Sequence, residues 1–256
     1  MFANQEQPQQ IEASREVQFS IPARFNGPVD SGNGGYSSGV LAVHVGPTAK
    51  VRLASPPPLD TPLTVHSHPS RTGETQLLQG EHLIATAWPA VLDIDVPTPP
   101  TLEQARQATL GFIGHKAHAL PHCYVCGPER SADDGMHLFA GPVAGSEVYA
   151  CPWSPLTDQL DHNGEVKAEF VWAALDCPGY FAAFGAEPRM ALLGELTADL
   201  RVPLNGDEEH VVFAWSMGQE GRKRFSGTAI ANAAGDVAAV ARATWIELKK
   251  PQAEDA

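Results

Sequence analysis

Residues 235–248, GDVAAVARATWIEL, open on a turn-forming Gly-Asp pair and then alternate well enough for a half-buried strand. Residues 80–92, GEHLIATAWPAVL, repeat that order in the first half of the chain. Self-similarity at long period is the mark of duplication. Working back from 235–248, short strands are expected over 136–140 and 147–151, then a loop over 154–164 and a helix from about Val166 to the Ala173-Ala174-Leu175 run. Strands follow over 196–202, 210–217, 223–231 and 236–248. The first half carries a worn version of this order. A strand over 17–21 precedes an apolar segment opened by Gly34-Gly35-Tyr36 and reaching Val45, and strands follow over 50–55, 62–67, 74–79 and 82–88. One helix and a run of antiparallel strands per half is an α+β pattern, in which each helix must bury its apolar stripe against its own sheet. Two such units side by side can share one sheet. An unrelated α+β pair is the alternative.

Between the halves lies the Pro-rich run Val96-Pro97-Thr98-Pro99-Pro100. The stretch after it, TLEQARQAT at 101–109, reads as a short surface helix with Thr101 as N-cap and Glu103 in the first turn. The organisation is therefore a tail over 1–16, a module over 17–96, a connector over 97–122, a second module over 123–250 and a tail over 251–256.

Composition narrows the function. Hydrophobic residues make up 43% of the 256, so a sizeable core can form. No apolar run reaches the roughly 18 residues of a membrane span, and the Gln-rich start lacks the pattern of a secretory signal, so a cytoplasmic protein is expected. A net charge of −13 argues against nucleic acid as a partner. Arg222-Lys223-Arg224 is the one dense basic run, and reads either as a solvated strand start or as a site for a ligand's phosphates. Cys123 and Cys126 form a lone CxxC. His118 and His122 nearby make a Cys2His2 zinc cluster conceivable, but without a second CxxC no metal site is expected, and structural cysteines are the default. The histidines at 44, 66, 68, 82 and 210 lack paired metal spacing and read as surface or packing residues.

The run Cys123-Tyr124-Val125-Cys126-Gly127-Pro128, followed by Gly135-Met136-His137-Leu138, resembles the entry to PaaI-like hotdog thioesterases. Trp153-Ser154-Pro155 through Gly164 is similar to the loop before that family's central helix. The likeness extends to Phe25-Asn26-Gly27-Pro28 and Ser31-Gly32-Asn33-Gly34-Gly35-Tyr36 in the first half. The resemblance implies a tandem double hotdog, each half an antiparallel sheet wrapped around a central helix. In that family the helix opens on His-Gly-Gly, whose amides polarise the thioester carbonyl, and an acid from the partner module acts as base or nucleophile.

Here those parts are divided between the halves. Asn33-Gly34-Gly35 matches the helix start with Asn for His, but Ala42 stands where its acid should be. Asp176 matches the acid, but Lys167-Ala168-Glu169 replaces its glycines. The resemblance thus implies one composite site with Asn33, Gly34, Gly35 and Asp176, and Glu169 as the second candidate acid.

Elementary chemistry agrees. Glycines at a helix start expose backbone N–H groups at the positive end of the dipole, where an oxyanion is stabilised; a flexible loop is their bland reading. Asp176 sits among apolar residues, and a buried carboxylate calls for a reason; a helix cap or kink before Cys177-Pro178-Gly179 is the plain one. Tyr36, Trp172, Tyr180 and Phe181 are expected to line a tunnel. Thr197 and Gln219 are polar strand residues able to orient water, and Arg222, Lys223 and Arg224 suit the phosphates of coenzyme A.

The expected function is hydrolysis of an acyl- or aryl-CoA thioester, with no cofactor beyond the coenzyme A of the substrate. A noncatalytic acyl-CoA-binding module is the alternative. A hotdog enoyl-CoA hydratase using Asp158 and His162 ranks last. The chain would act as a monomer with an internal pseudo-dimer, or as a homo-oligomer.

Overall fold

The computed structural model describes residues 16–67 and 73–249. The expected tails at 1–16 and 251–256, apart from Glu16, lie outside the described residues, as does His68. In chain order the elements are β1 (Glu16–Phe19), α1 (Gly34–Ala42), β2 (Thr48–Leu53), β3 (Leu63–Ser67), β4 (Thr75–Gln79), β5 (His82–Pro89), α2 (Leu102–Thr109), β6 (Gly141–Pro142), β7 (Val148–Trp153), α3 (Ala168–Ala174), α4 (Cys177–Phe184), β8 (Ala191–Leu200), β9 (His210–Glu220), β10 (Lys223–Ala231) and β11 (Val237–Glu247).

All eleven strands form one antiparallel sheet in the order β1-β3-β4-β5-β2-β8-β11-β10-β9-β7-β6. Strands from before residue 90 occupy one end and strands from after residue 140 the other. They meet where β2 pairs with β8, with Val51 opposite Leu196 and Ala49 opposite Ala198. The two repeated stretches occupy matching places. Gly80 and Gly235 each turn a hairpin with positive φ, 58° and 89°, and the strands they start, β5 and β11, each lie next to the seam strand.

The capping signals act as expected at α2. Thr101 accepts from the Gln104 amide while the Gln104 side chain accepts from the Thr101 amide, closing a capping box. Helix α1 is apolar or small on every face, which suits a helix buried on all sides. It lies on the sheet at the seam and crosses α3 at very short range. A Cβ built on Gly35 would lie 2.5 Å from Asp176 Cβ, and one on Gly39 would lie 2.6 Å from Glu169 Cα. Only hydrogen at those positions lets the two backbones approach so closely.

One expectation is corrected and one element is added. Residues 136–140 do not form a strand. His137 takes φ 52°, and the amides of Met136 and Leu138 donate to the carbonyls of Tyr124 and Val125, so this segment is tied to the CxxC loop. The helix expected up to Leu175 is present as α3, and a second helix not expected from the sequence follows it. Pro178 has no N–H to continue the ladder, Asp176 adopts φ −85°, ψ −86°, and α4 restarts at Cys177 with the proline in its first turn. The connector at 97–122 carries α2, whose Ala105 and Ala108 pack with Val148, Ala150 and Phe213 in a second core cluster.

Candidate functional site

Asn33 caps α1, its side-chain oxygen accepting from the Tyr36 amide at 2.8 Å. Its other side-chain atom, Nδ2, donates to Asp176 Oδ2 at 3.0 Å, and the Gly35 amide donates to the same oxygen at 2.8 Å. The carboxylate from the break between α3 and α4 is therefore seated on the N-terminus of α1, from the other half of the chain. Burial pushes the Asp176 carboxyl up to about 7, with the Gly35 amide and the Asn33 side chain pulling in the opposite direction. Asp176 is 2% exposed, and its Oδ1 has no hydrogen-bond partner.

These groups line a cavity of about 260 Å³. Its walls are largely apolar, with Leu53, Leu193, Ile246 and Trp245 among them, and Asn33, Gly34 and Asp176 supply polarity at one end. Such a container, apolar with a few convergent polar groups, is the usual form of a small-molecule site. The Gly34 amide lines it and donates to nothing else among the described residues.

Of the expected site residues, the structure brings Asn33, Gly34, Gly35 and Asp176 together. It places the others elsewhere. Tyr36 is stacked on Phe25 with ring centroids 4.3 Å apart, behind the helix start and not in the cavity wall. Trp172 is buried with its side chain against Gly39 and does not line the cavity. Glu169 lies in the first turn of α3, half-buried, and does not reach the cavity. Thr197 is held in β8 between Lys50 and Arg242, and Gln219 is exposed.

Arg222 and Lys223 are exposed at the β9–β10 turn, where Arg222 donates to the Glu247 carbonyl, and Arg224 lies over the Phe184 ring at 5.2 Å. They do not line the cavity, although Lys223 pairs with Ile246, which does. Tyr180 lines the cavity as expected; Phe181 does not. Asp158 is exposed and ion-paired with Arg24, and His162 is exposed, so the pair a hydratase needs is not assembled in the cavity.

Three thiols were legible only as one pair and a stray. Cys123, Cys126 and Cys177 are buried with their sulfurs within 4.8 Å of one another, and all three line the cavity. Hydrogen bonding with the neighbouring Cys126 and Cys177 thiols holds the Cys123 thiol well below its usual range. The two histidines of the conceivable Cys2His2 cluster are not in this group. His122 pairs with Glu129 at the surface, and His118 Nδ1 accepts from the Leu120 amide, which leaves the ring proton on Nε2.

Solved structures match this architecture over nearly the whole chain. A hot dog fold protein of unknown function from Alicyclobacillus acidocaldarius is 14% identical and superposes with a TM-score of 0.57, covering 92% of this chain and 94% of its own. The chain has a hotdog fold. A candidate thioesterase II from Thermobifida fusca YX shares the hotdog fold at TM-score 0.62 and 16% identity, over 92% of this chain and 94% of that one. The tesB protein of Mycobacterium avium subs paratuberculosis matches at 0.61 and 11%, over 91% and 93%. No family model matches the sequence, and no curated protein does.

Proposed function

We propose that this tandem double-hotdog chain hydrolyses an acyl or aryl thioester of coenzyme A at one composite site, built from Asn33, Gly34 and Gly35 of the first half and Asp176 of the second. The observation that carries the proposal is the pair of hydrogen bonds from the Gly35 amide and Asn33 Nδ2 to Asp176 Oδ2, at the end of an apolar cavity. The resemblance noted in the sequence, and the solved structures described as thioesterases, support the choice of chemistry.

In this reading the acyl group occupies the apolar cavity and the thioester carbonyl approaches Gly34. A water beside Asp176 passes a proton to the carboxylate as its oxygen attacks the carbonyl carbon. The Gly34 N–H and the positive end of α1 stabilise the oxyanion. Collapse breaks the C–S bond, and the proton returns to the leaving thiolate, giving a carboxylic acid and free coenzyme A. Direct attack by Asp176 on the carbonyl, with hydrolysis of the resulting anhydride, uses the same groups. Arg222, in the β9–β10 turn, and Lys223, opposite Ile246, are assigned to the phosphates of coenzyme A. One chain supplies both halves of the site, so a monomer suffices.

One observation favours the second reading, a noncatalytic acyl-CoA-binding protein. The Gly35 amide is already taken by Asp176, so of the two glycine amides only Gly34 is free for the carbonyl. Binding and turnover measured on one panel of acyl- and aryl-CoA thioesters separate the two. Thiol release on at least one member supports the enzyme. Tight binding without thiol release makes the protein a binder.

A further inference from the structure

We infer that Cys123, Cys126 and Cys177 form a site for a thiophilic divalent cation, Zn²⁺, held by three thiolates with its fourth position turned to the cavity. Cys123 and Cys126 come from the loop that enters the second half, where the Gly127 amide closes a turn onto the Cys123 carbonyl at 2.8 Å. Cys177 is the first residue of α4. The break in the helix at Asp176 is what delivers the third sulfur, 54 residues from the first.

The spacing is that of a metal cradle. Zinc–sulfur bonds of about 2.3 Å in a tetrahedron set neighbouring sulfurs roughly 3.8 Å apart. Cys123 Sγ and Cys177 Sγ stand 3.7 Å apart, and all three sulfurs lie within 4.8 Å of one another. A buried cysteine by itself is ordinary, because a thiol packs as a small hydrophobe. Cys151, buried in β7 away from the other three, is such a case. Three thiols converging on one point, at the wall of a cavity that offers an entry path, are not explained by packing.

The surroundings also fit. Asp176 Oδ1, on the residue next to Cys177, is buried and unpartnered, and Asp176 lines the same cavity. It is available either to the ion or to a water on it. His118 is not a ligand, because its Nδ1 already accepts from the Leu120 amide. On binding, each thiol releases its proton to solvent, and the ion compensates two of the three negative charges formed.

The test of this site does not use thioester hydrolysis, so its failure and the failure of the proposed activity are distinguishable. The full chain, reduced and stripped with a chelator, is titrated with Co²⁺ as a spectroscopic stand-in and with Zn²⁺ under native mass spectrometry. One ion per chain is expected, with an intense sulfur-to-cobalt charge-transfer band. X-ray absorption at the zinc edge of the wild-type protein should give three sulfur neighbours at about 2.3 Å. Cys177→Ser and Cys123→Ser should lose the ion, while Cys151→Ala keeps it. Absence of uptake by the wild type, a zinc shell without sulfur, or retention of the ion in both serine variants would overturn the inference. A Cys123–Cys177 disulfide that persists under reducing conditions would also overturn it. Should the serine variants not fold, the wild-type absorption spectrum alone decides.

Discussion

Asp176 Oδ2 accepts the Gly35 amide at 2.8 Å across 141 residues of sequence, and Asn33 Nδ2 reaches the same oxygen at 3.0 Å. Each half of the chain thus supplies one side of this buried contact. The contact also takes a carboxylate out of water with its other oxygen unpartnered, which costs stability unless something is gained from it.

Asp176→Asn should therefore separate stability from function. The amide oxygen still accepts from Gly35 and Asn33, while the buried charge is gone. Urea unfolding at neutral pH should show a gain on the order of 1 kcal/mol or more. An equal or lower stability would mean that the carboxylate is not under strain in this position.

Gly35→Ala should be far worse than Gly34→Ala. At Gly35 the new Cβ meets Asp176 Cβ at 2.5 Å and the Trp172 carbonyl oxygen at 2.6 Å, neither able to move without separating α1 from α3. At Gly34 the nearest atoms are Leu193 Cδ2 at 2.9 Å and Leu193 Cβ at 3.0 Å, both on one side chain and neither in the facing helix. A loss of about 1–3 kcal/mol is expected for the first and under about 1 kcal/mol for the second. Thermal melts of the two variants side by side check the order.

Asn33→Ala removes the cap of α1 and one donor to Asp176 together. The cap alone is worth about 1 kcal/mol. Asn33→Ser keeps a capping oxygen but is too short to reach the carboxylate. It should recover most of the stability in melts and little of any thioester hydrolysis. Recovery of both would show that Asn33 only caps.

Much of the fold was legible in the sequence. The hairpin turns at Gly80 and Gly235, the seam strands and the Thr101 cap depend on local chemistry, which a single chain displays. The break at Asp176 was half-legible, since Pro178 announced a boundary but not that a second helix follows. Residues 136–140 misled because their apolar pattern serves pairing with the CxxC loop and not a strand ladder. Tyr36 and Trp172 misled for a related reason: large aromatics near a site were read as lining, while the close α1–α3 crossing buries them as packing. Cys177 joined Cys123 and Cys126 only through tertiary structure, and its place beside the acid was the one available hint.

His210 gives a pH prediction. Its Nε2 donates to the Asn205 carbonyl at 2.9 Å, its Nδ1 is buried without a partner, and burial holds its pKa below the ordinary value. The unfolded chain takes up a proton near pH 6.5, which the folded chain resists. The stability tied to this group is therefore complete above that pH and falls as pH drops toward the lowered folded value. Urea unfolding at about pH 7.5 and about pH 5.5 should show a smaller pH dependence in His210→Gln than in the wild type. An unchanged pH dependence would contradict this reading.

The central claim rests on Asp176 acting on a thioester. Its most direct test is thiol release from saturating acyl-CoA by wild-type protein and by folded Asp176→Asn. The account predicts turnover by the wild type and a fall in kcat of about 10²–10⁴-fold in the variant, with binding of the substrate retained. Turnover in Asp176→Asn equal to that of the wild type would contradict it.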